Sequence, residues 1–111
     1  MGYTNAQGWH QANVGNSGTL VKSGSTRVYS AHIRCVAGSI RFCNFFNAAS
    51  ADDVTAGTTP ADYVISATGA TGASYEFPGG MYFPLGLVVT YTTAADGSGA
   101  AEANTVSLSV E

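Results

Sequence analysis

Between Thr26 and Val36 the chain reads TRVYSAHIRCV. Tyr29, Ala31, Ile33 and Cys35 fall on one side of a period-two pattern, with Val28, Ser30, His32 and Arg34 on the other. That alternation is what a half-buried β-strand requires. The competing helical reading rests on Arg27, Arg34 and Arg41, whose spacing by sevens would align them on one stripe. The residues between them are β-branched or aromatic and Gly38 interrupts them, so a pair of strands is expected instead. Arg27 and Arg34 then point to opposite faces.

The same pattern continues in both directions. SIRFCNFF, after an expected turn at Ala37-Gly38, carries apolar groups on both faces, which calls for a core beneath it and a contact above. ADYVISA and ASYEF read as short strands, and LGLVVTYTT alternates with Leu85, Leu87, Val89 and Tyr91 facing in. NTVSLSV closes the chain with Val106, Leu108 and Val110 inward and Thr105, Ser107 and Ser109 outward. Seven or eight short strands make an all-β fold, an antiparallel β-sandwich of jelly-roll-like form. In YEFPGGMYF, Pro78 is expected to end a strand and Gly79-Gly80 to turn the chain at a corner of the sandwich. No helix or lysine follows these glycines, so they serve backbone geometry and not phosphate binding.

Residues 47–60 and 94–104 are rich in Ala, Gly, Thr and Asp and read as long surface loops. Asp52-Asp53 suits a brief helical turn and Asp96-Gly97 a tight turn. Residues 1–18 differ: they are polar, show no sustained alternation and hold the sole tryptophan. They are expected to form an extended N-terminal arm, with the sandwich at 19–111, and Tyr3, Trp9 and His10 to dock on a neighbouring subunit.

Charged residues are 10% of the chain, against about 25% in ordinary soluble proteins. Net charge is −3, and Lys22, Arg27, Arg34 and Arg41 are the only basic side chains besides histidine, too few to grip nucleic acid through its phosphates. The opening MGYTNAQGWH lacks a basic segment followed by an apolar one, so no signal peptide is expected. No apolar run reaches the ~20 residues of a membrane helix.

Candidate chemistry is sparse. Cys35 and Cys43 are expected on adjacent strands of one hairpin, too far out of register for a disulfide, hence as buried thiols. With His10 and His32 they offer four metal-ligand types, yet no CxxC or HxxxH spacing brings two together. No GxSxG elbow is present, and Asp52-Asp53 lacks the rest of a calcium loop. Glu76 is placed to pair with Arg34 or Arg41. No catalytic residue, metal or cofactor is expected.

Five segments together resemble a small β-sandwich domain that recurs in virion proteins of tailed bacteriophages. They are FFNAA from Phe45, TTPADYVI from Thr58, EFPGGMYF from Glu76, LGLVVTYT from Leu85 and the Ala/Asp/Gly-rich run into the last strand from Ala94. The likeness spans about residues 19–111 and is most specific in FPGG and the following GL; Phe46 stands where a tyrosine is usual. It implies a capsid decoration (cement) protein, resident in the virion and made in the host cytoplasm. Such a protein assembles with itself, as a homotrimer, and on the major capsid protein, with no nucleic acid or membrane partner. Val28, Arg34, Phe42, Phe46 and Tyr82 are the sandwich residues expected at those contacts. The alternative is a tail-fibre or tail-associated module that binds a host-surface glycan, with Trp9-His10 or Tyr82 supplying the exposed aromatic.

Overall fold

The computed structural model describes residues 7–35, 39–68, 72–99 and 104–111. It is an antiparallel β-sandwich of eight strands: β1 (Gln7–Val14), β2 (Thr19–Ser23), β3 (Thr26–Arg34), β4 (Ile40–Asn47), β5 (Tyr63–Thr68), β6 (Ala73–Phe83), β7 (Gly86–Thr92) and β8 (Asn104–Val110). One sheet has the order β1-β8-β3-β6 and the other β2-β7-β4-β5. Successive strands thus alternate between sheets, apart from β4 and β5, which form a hairpin within one. This is the jelly roll, two Greek keys folded face to face.

The core is what period-two alternation delivers to the inner faces. Ala31, Ile33 and Cys35 meet Val106, Leu108 and Val110 in one sheet, and Cys43, Phe45, Leu87, Val89 and Tyr91 in the other. Each fully buried side chain of Leu or Phe size contributes about 1.5–3 kcal/mol.

Four expectations are corrected. Residues 7–14 are not part of an arm: Gln7–Gln11 pair in register with Val106–Val110, so the edge strand of the first sheet comes from the segment with no visible alternation. That segment supplies backbone ladder bonds and two apolar anchors, Trp9, which packs half-buried on the core, and Val14, which is fully buried in it.

FPGG is no corner between strands. β3 pairs with β6 on both sides of it, Ser30 with Glu76 and Val28 with Met81, so Phe77–Gly80 bulge opposite the single residue Tyr29. Gly79 and Gly80 take φ of 80° and 82° there, a left-handed conformation open to glycine without cost.

Cys35 and Cys43 are buried and free, but β3 and β4 lie in opposite sheets, so no hairpin joins them. The expected turn at Ala37-Gly38 falls outside the described residues. Leu85, expected inward, is 57% exposed, because β7 begins only at Gly86.

The local turns follow the sequence. Ala51–Asp53 form one turn of 3-10 helix capped by Ser50, whose hydroxyl accepts from the Asp52 N–H at 3.2 Å. Gly97 N–H donates to the Ala94 carbonyl.

Candidate functional site

The two sheets treat their outer faces differently. On the second sheet that face is closed by the chain's own loops. Phe46 and Val88 are buried with Ala48 and Val54, and Ala61 packs on them. Further along, Asn44, Thr90 and Thr92 are fully buried. The Asn44 amide donates to the Thr90 and Thr92 hydroxyls at 3.1 and 2.9 Å, and the Thr92 hydroxyl donates to the Ala94 carbonyl. The contact expected above β4 therefore comes from residues 48–61 of the same chain. Phe46 is only 2% exposed and is not an interface residue of this surface; Phe42, on the same face between Ser66 and Thr92, is half-buried.

On the first sheet no described residue covers the outer face. Register sets its side chains in rows that cross all four strands: Gly8, Ser109, Ser30 and Glu76 in one, His10, Ser107, His32 and Ser74 in the next. Thr105 and Arg34 follow. None of these side chains is buried. Both histidines of the chain thus share one row, each tied to a serine: His10 Nδ1 lies 2.7 Å from Ser107 Oγ and His32 Nδ1 2.8 Å from Ser74 Oγ. Small hydroxyl side chains keep this surface low.

His10 and Arg34, expected at contacts, lie on this face or its rim. Val28, expected beside them, is fully buried in the core, because the bulge opposite FPGG shifts the alternation of β3 by one residue. Glu76 and Arg34 share the face with a row between them, whereas Arg41 belongs to β4 of the other sheet. Tyr3 falls outside the described residues.

A second surface lies at one end of the sandwich, where β5 and β6 run along the same side. Tyr82 is 54% exposed and Tyr63 43%. With Asn47, Asp62, Met81 and Phe83 they line a cleft of about 310 Å³. Each ring has a neighbour that restrains it. The Arg27 guanidinium carbon sits 4.8 Å from the centroid of Tyr82, and an Arg27 N–H donates to the Gly79 carbonyl at 3.2 Å. Tyr63 meets Phe77 edge-on, centroids 5.8 Å apart at 89°. Such contacts add about 0.5–1 kcal/mol each.

The polar groups of the cleft are also oriented. Asp62 accepts from the Asn47 backbone N–H at 2.7 Å, and Asn47 Oδ1 accepts from the Leu85 N–H at 2.8 Å. Asn47 and Asp62 were not singled out in the sequence; the prolines and glycines that flank them, at Pro60 and in PLG from Pro84, mark loop ends and carry no sign of a shared cleft.

The remaining reactive groups are interior. Cys35 Sγ lies 3.3 Å from both the Ala67 carbonyl oxygen and the Tyr91 hydroxyl. Burial, and secondarily the neighbouring Cys35, pushes the Cys43 thiol far up. Among the described residues no three His, Cys, Asp or Glu side chains gather where they could hold a metal ion, and no helix is long and apolar enough to cross a membrane.

No protein-family model matches the chain, and no curated protein does. Among solved structures, the coat protein of tobacco streak virus is similar over 96% of this chain and 87% of its own, with 13% identity and a TM-score of 0.42.

Proposed function

We propose that this protein is a structural component of a virion, a capsid decoration protein that stabilises the head of a tailed phage. Jelly rolls build capsid, lectin and cupin domains alike, and fold alone does not choose among them. The observation that carries the reading is the asymmetry of the two outer faces. One is sealed by 48–61; the other is a low field of Ser, Thr and His with single charges at Glu76 and Arg34, flanked by β1, whose first five residues carry neither charge nor proline. A face of short side chains meets a broad flat partner without ordering long ones, which keeps the entropic cost of contact small.

In this reading the face and the β1 edge join copies of the chain, as a homotrimer, and seat them on the major capsid protein. Stabilisation then follows by mass action: contacts available only on the assembled shell favour that shell, and repetition over a lattice multiplies weak contacts. No catalytic group takes part.

The test is light scattering of the purified protein together with co-sedimentation on purified phage heads. A trimer that loads at stoichiometric numbers is expected, with Ser107→Arg, which raises a long charged side chain in the centre of the face, abolishing loading while the fold persists. A monomer that ignores heads, or an S107R protein that loads normally, overturns the proposal.

A further inference from the structure

We infer that the cleft between Tyr63 and Tyr82 is a binding site for a neutral sugar ring. The inference goes beyond the assembly reading and does not depend on it, since the cleft lies at the β5/β6 end and not on the open sheet face.

A pyranose presents two kinds of surface: an apolar face of C–H groups, and adjacent hydroxyls that each donate and accept. A site for it needs an exposed flat ring and, beside it, a donor and an acceptor at neighbouring positions. Tyr82 and Tyr63 supply the rings, and both are fixed before any ligand arrives, Tyr82 by Arg27 and Tyr63 by Phe77. That prior order removes part of the entropic cost of binding.

Asn47 and Asp62 supply the polar pair. Each spends one oxygen on a backbone N–H, Asn47 Oδ1 on Leu85 and Asp62 Oδ2 on Asn47. These bonds fix the two side chains and assign their remaining atoms: Asn47 Nδ2 is a donor and Asp62 Oδ1 an acceptor, with no hydrogen-bond partner among the described residues. One hydroxyl of a diol donates to Asp62 while its neighbour accepts from Asn47, with the C–H face on a tyrosine.

Charge narrows the ligand further. Asp62 is the only acidic or basic side chain among the described residues lining the cleft, and the neighbouring cation, Arg27, is engaged with the Tyr82 ring and the Gly79 carbonyl, so a uronic or sialic acid meets a like charge that a neutral or N-acetylated hexose does not. At about 310 Å³ the cleft matches the small end of ligand pockets, room for one sugar unit with any attached chain leading into solvent.

The experiment is a ¹H–¹⁵N NMR titration of the full chain with the methyl glycosides of glucose, galactose, mannose and N-acetylglucosamine, and with methyl glucuronide. At least one neutral glycoside is expected to bind with a Kd near ~10⁻³ M, shifting the Asn47 side-chain amide and the backbone amides of Leu85, Tyr63 and Tyr82, while the glucuronide leaves them in place. Asp62→Asn preserves an acceptor for the Asn47 N–H but turns the second oxygen into a donor, and should weaken binding about tenfold or more; Tyr82→Ala should do the same with the fold retained. Absence of shifts with all neutral glycosides at millimolar concentration, shifts confined to another surface, or equal binding by both variants overturns the inference. Because the titration contains no virus particles, its failure leaves the decoration reading standing, and failure to load on heads leaves this one standing.

Discussion

The Tyr75 hydroxyl, carried on β6, plugs the outer edge of β5 at Ser66: it accepts from the Ser66 N–H at 3.3 Å and donates to the Ser66 carbonyl at 2.5 Å. β5 is an edge strand of the second sheet, with uncharged sequence YVISAT and an unbroken register against β4. That combination is the open template that pairs with stray strands. The other three edges are broken by bulges, in β1 between Gln11 and Val14, in β2 between Leu20 and Lys22, and in β6 at FPGG. β5 has no such irregularity and is closed by a side chain from the opposite sheet.

Tyr75→Phe keeps the ring in place and removes only the plug. Stability in urea should fall by about 0.5–1.5 kcal/mol, the net worth of a hydrogen bond whose partners regain water. The more telling outcome is association: the variant should show concentration-dependent aggregation by light scattering where the parent does not. A variant that loses stability but stays as dispersed as the parent would show that the hydroxyl does not guard the edge.

Asn44 is fully buried, and its Oδ1 has no partner among the described residues. Its amide spans two threonine hydroxyls, yet one acceptor is stripped of water and receives nothing, an arrangement that offsets much of the gain from the other two bonds. Asn44→Leu should therefore change stability by no more than about 1 kcal/mol, while Asn44→Asp, which places a charge there, should cost about 3 kcal/mol or more at neutral pH and recover on acidification. Thermal unfolding of the two variants across pH decides this. Equal losses in both would mean that cavity shape and not polarity governs the site.

How much of this could be read from the chain depends on how local each feature is. The strands at 26–34 and 104–110 follow from alternation, and so do the inward residues of the second and of the first beyond Ser30, because a side-chain period of two is a property of one strand; the irregularity at Tyr29 that turns Val28 inward does not. β1 shows no alternation since only Trp9 and Val14 of it reach the core; it is a strand by virtue of β8. FPGG has the residues of a turn, and whether they turn the chain or bulge it depends on whether a partner resumes pairing beyond them, as Val28 and Met81 do. The two-sided apolarity of IRFCNFF was visible, but its cover, Val54 and Ala61 in the following loop, was not. The cleft escaped for the same reason: Asn47, Asp62 and Tyr82 belong to three separate segments, and Tyr82 alone announced itself.

Gly79 and Gly80 make different demands. Both have left-handed φ, but a Cβ on Gly79 would meet nothing within 4 Å, whereas one on Gly80 would lie 2.3 Å from Arg27 Cγ. Gly79→Ala should cost about 1 kcal/mol in backbone strain. Gly80→Ala adds displacement of Arg27, which releases the Tyr82 ring, so it should cost more and also blunt the response of Tyr82 in the sugar titration. Comparing the two alanine variants by urea unfolding and by Tyr82 ring chemical shifts tests this. Identical behaviour would mean that Arg27 does not hold the ring.

Alkaline pH should find the weak point of the core. Cys43 and Tyr91 are fully buried and face each other's neighbourhood through Cys35. Burial raises both groups in the native state, from ordinary values of 9.0 and 10.0, so the folded chain holds protons that the unfolded chain gives up. Stability is then fully present below pH 9, and falls as pH rises because the unfolded state alone ionises, each group adding a slope of up to about 1.4 kcal/mol per pH unit above its ordinary value. Urea midpoints should therefore be level to about pH 8.5 and decline above it, steepening near pH 10 as Tyr91 joins. Cys43→Ala, whatever it costs at neutral pH, should delay the onset of that decline to the tyrosine range. A midpoint level through about pH 10.5, or a C43A curve that turns down at the same pH as the parent, would mean that these two groups do not carry the alkaline sensitivity.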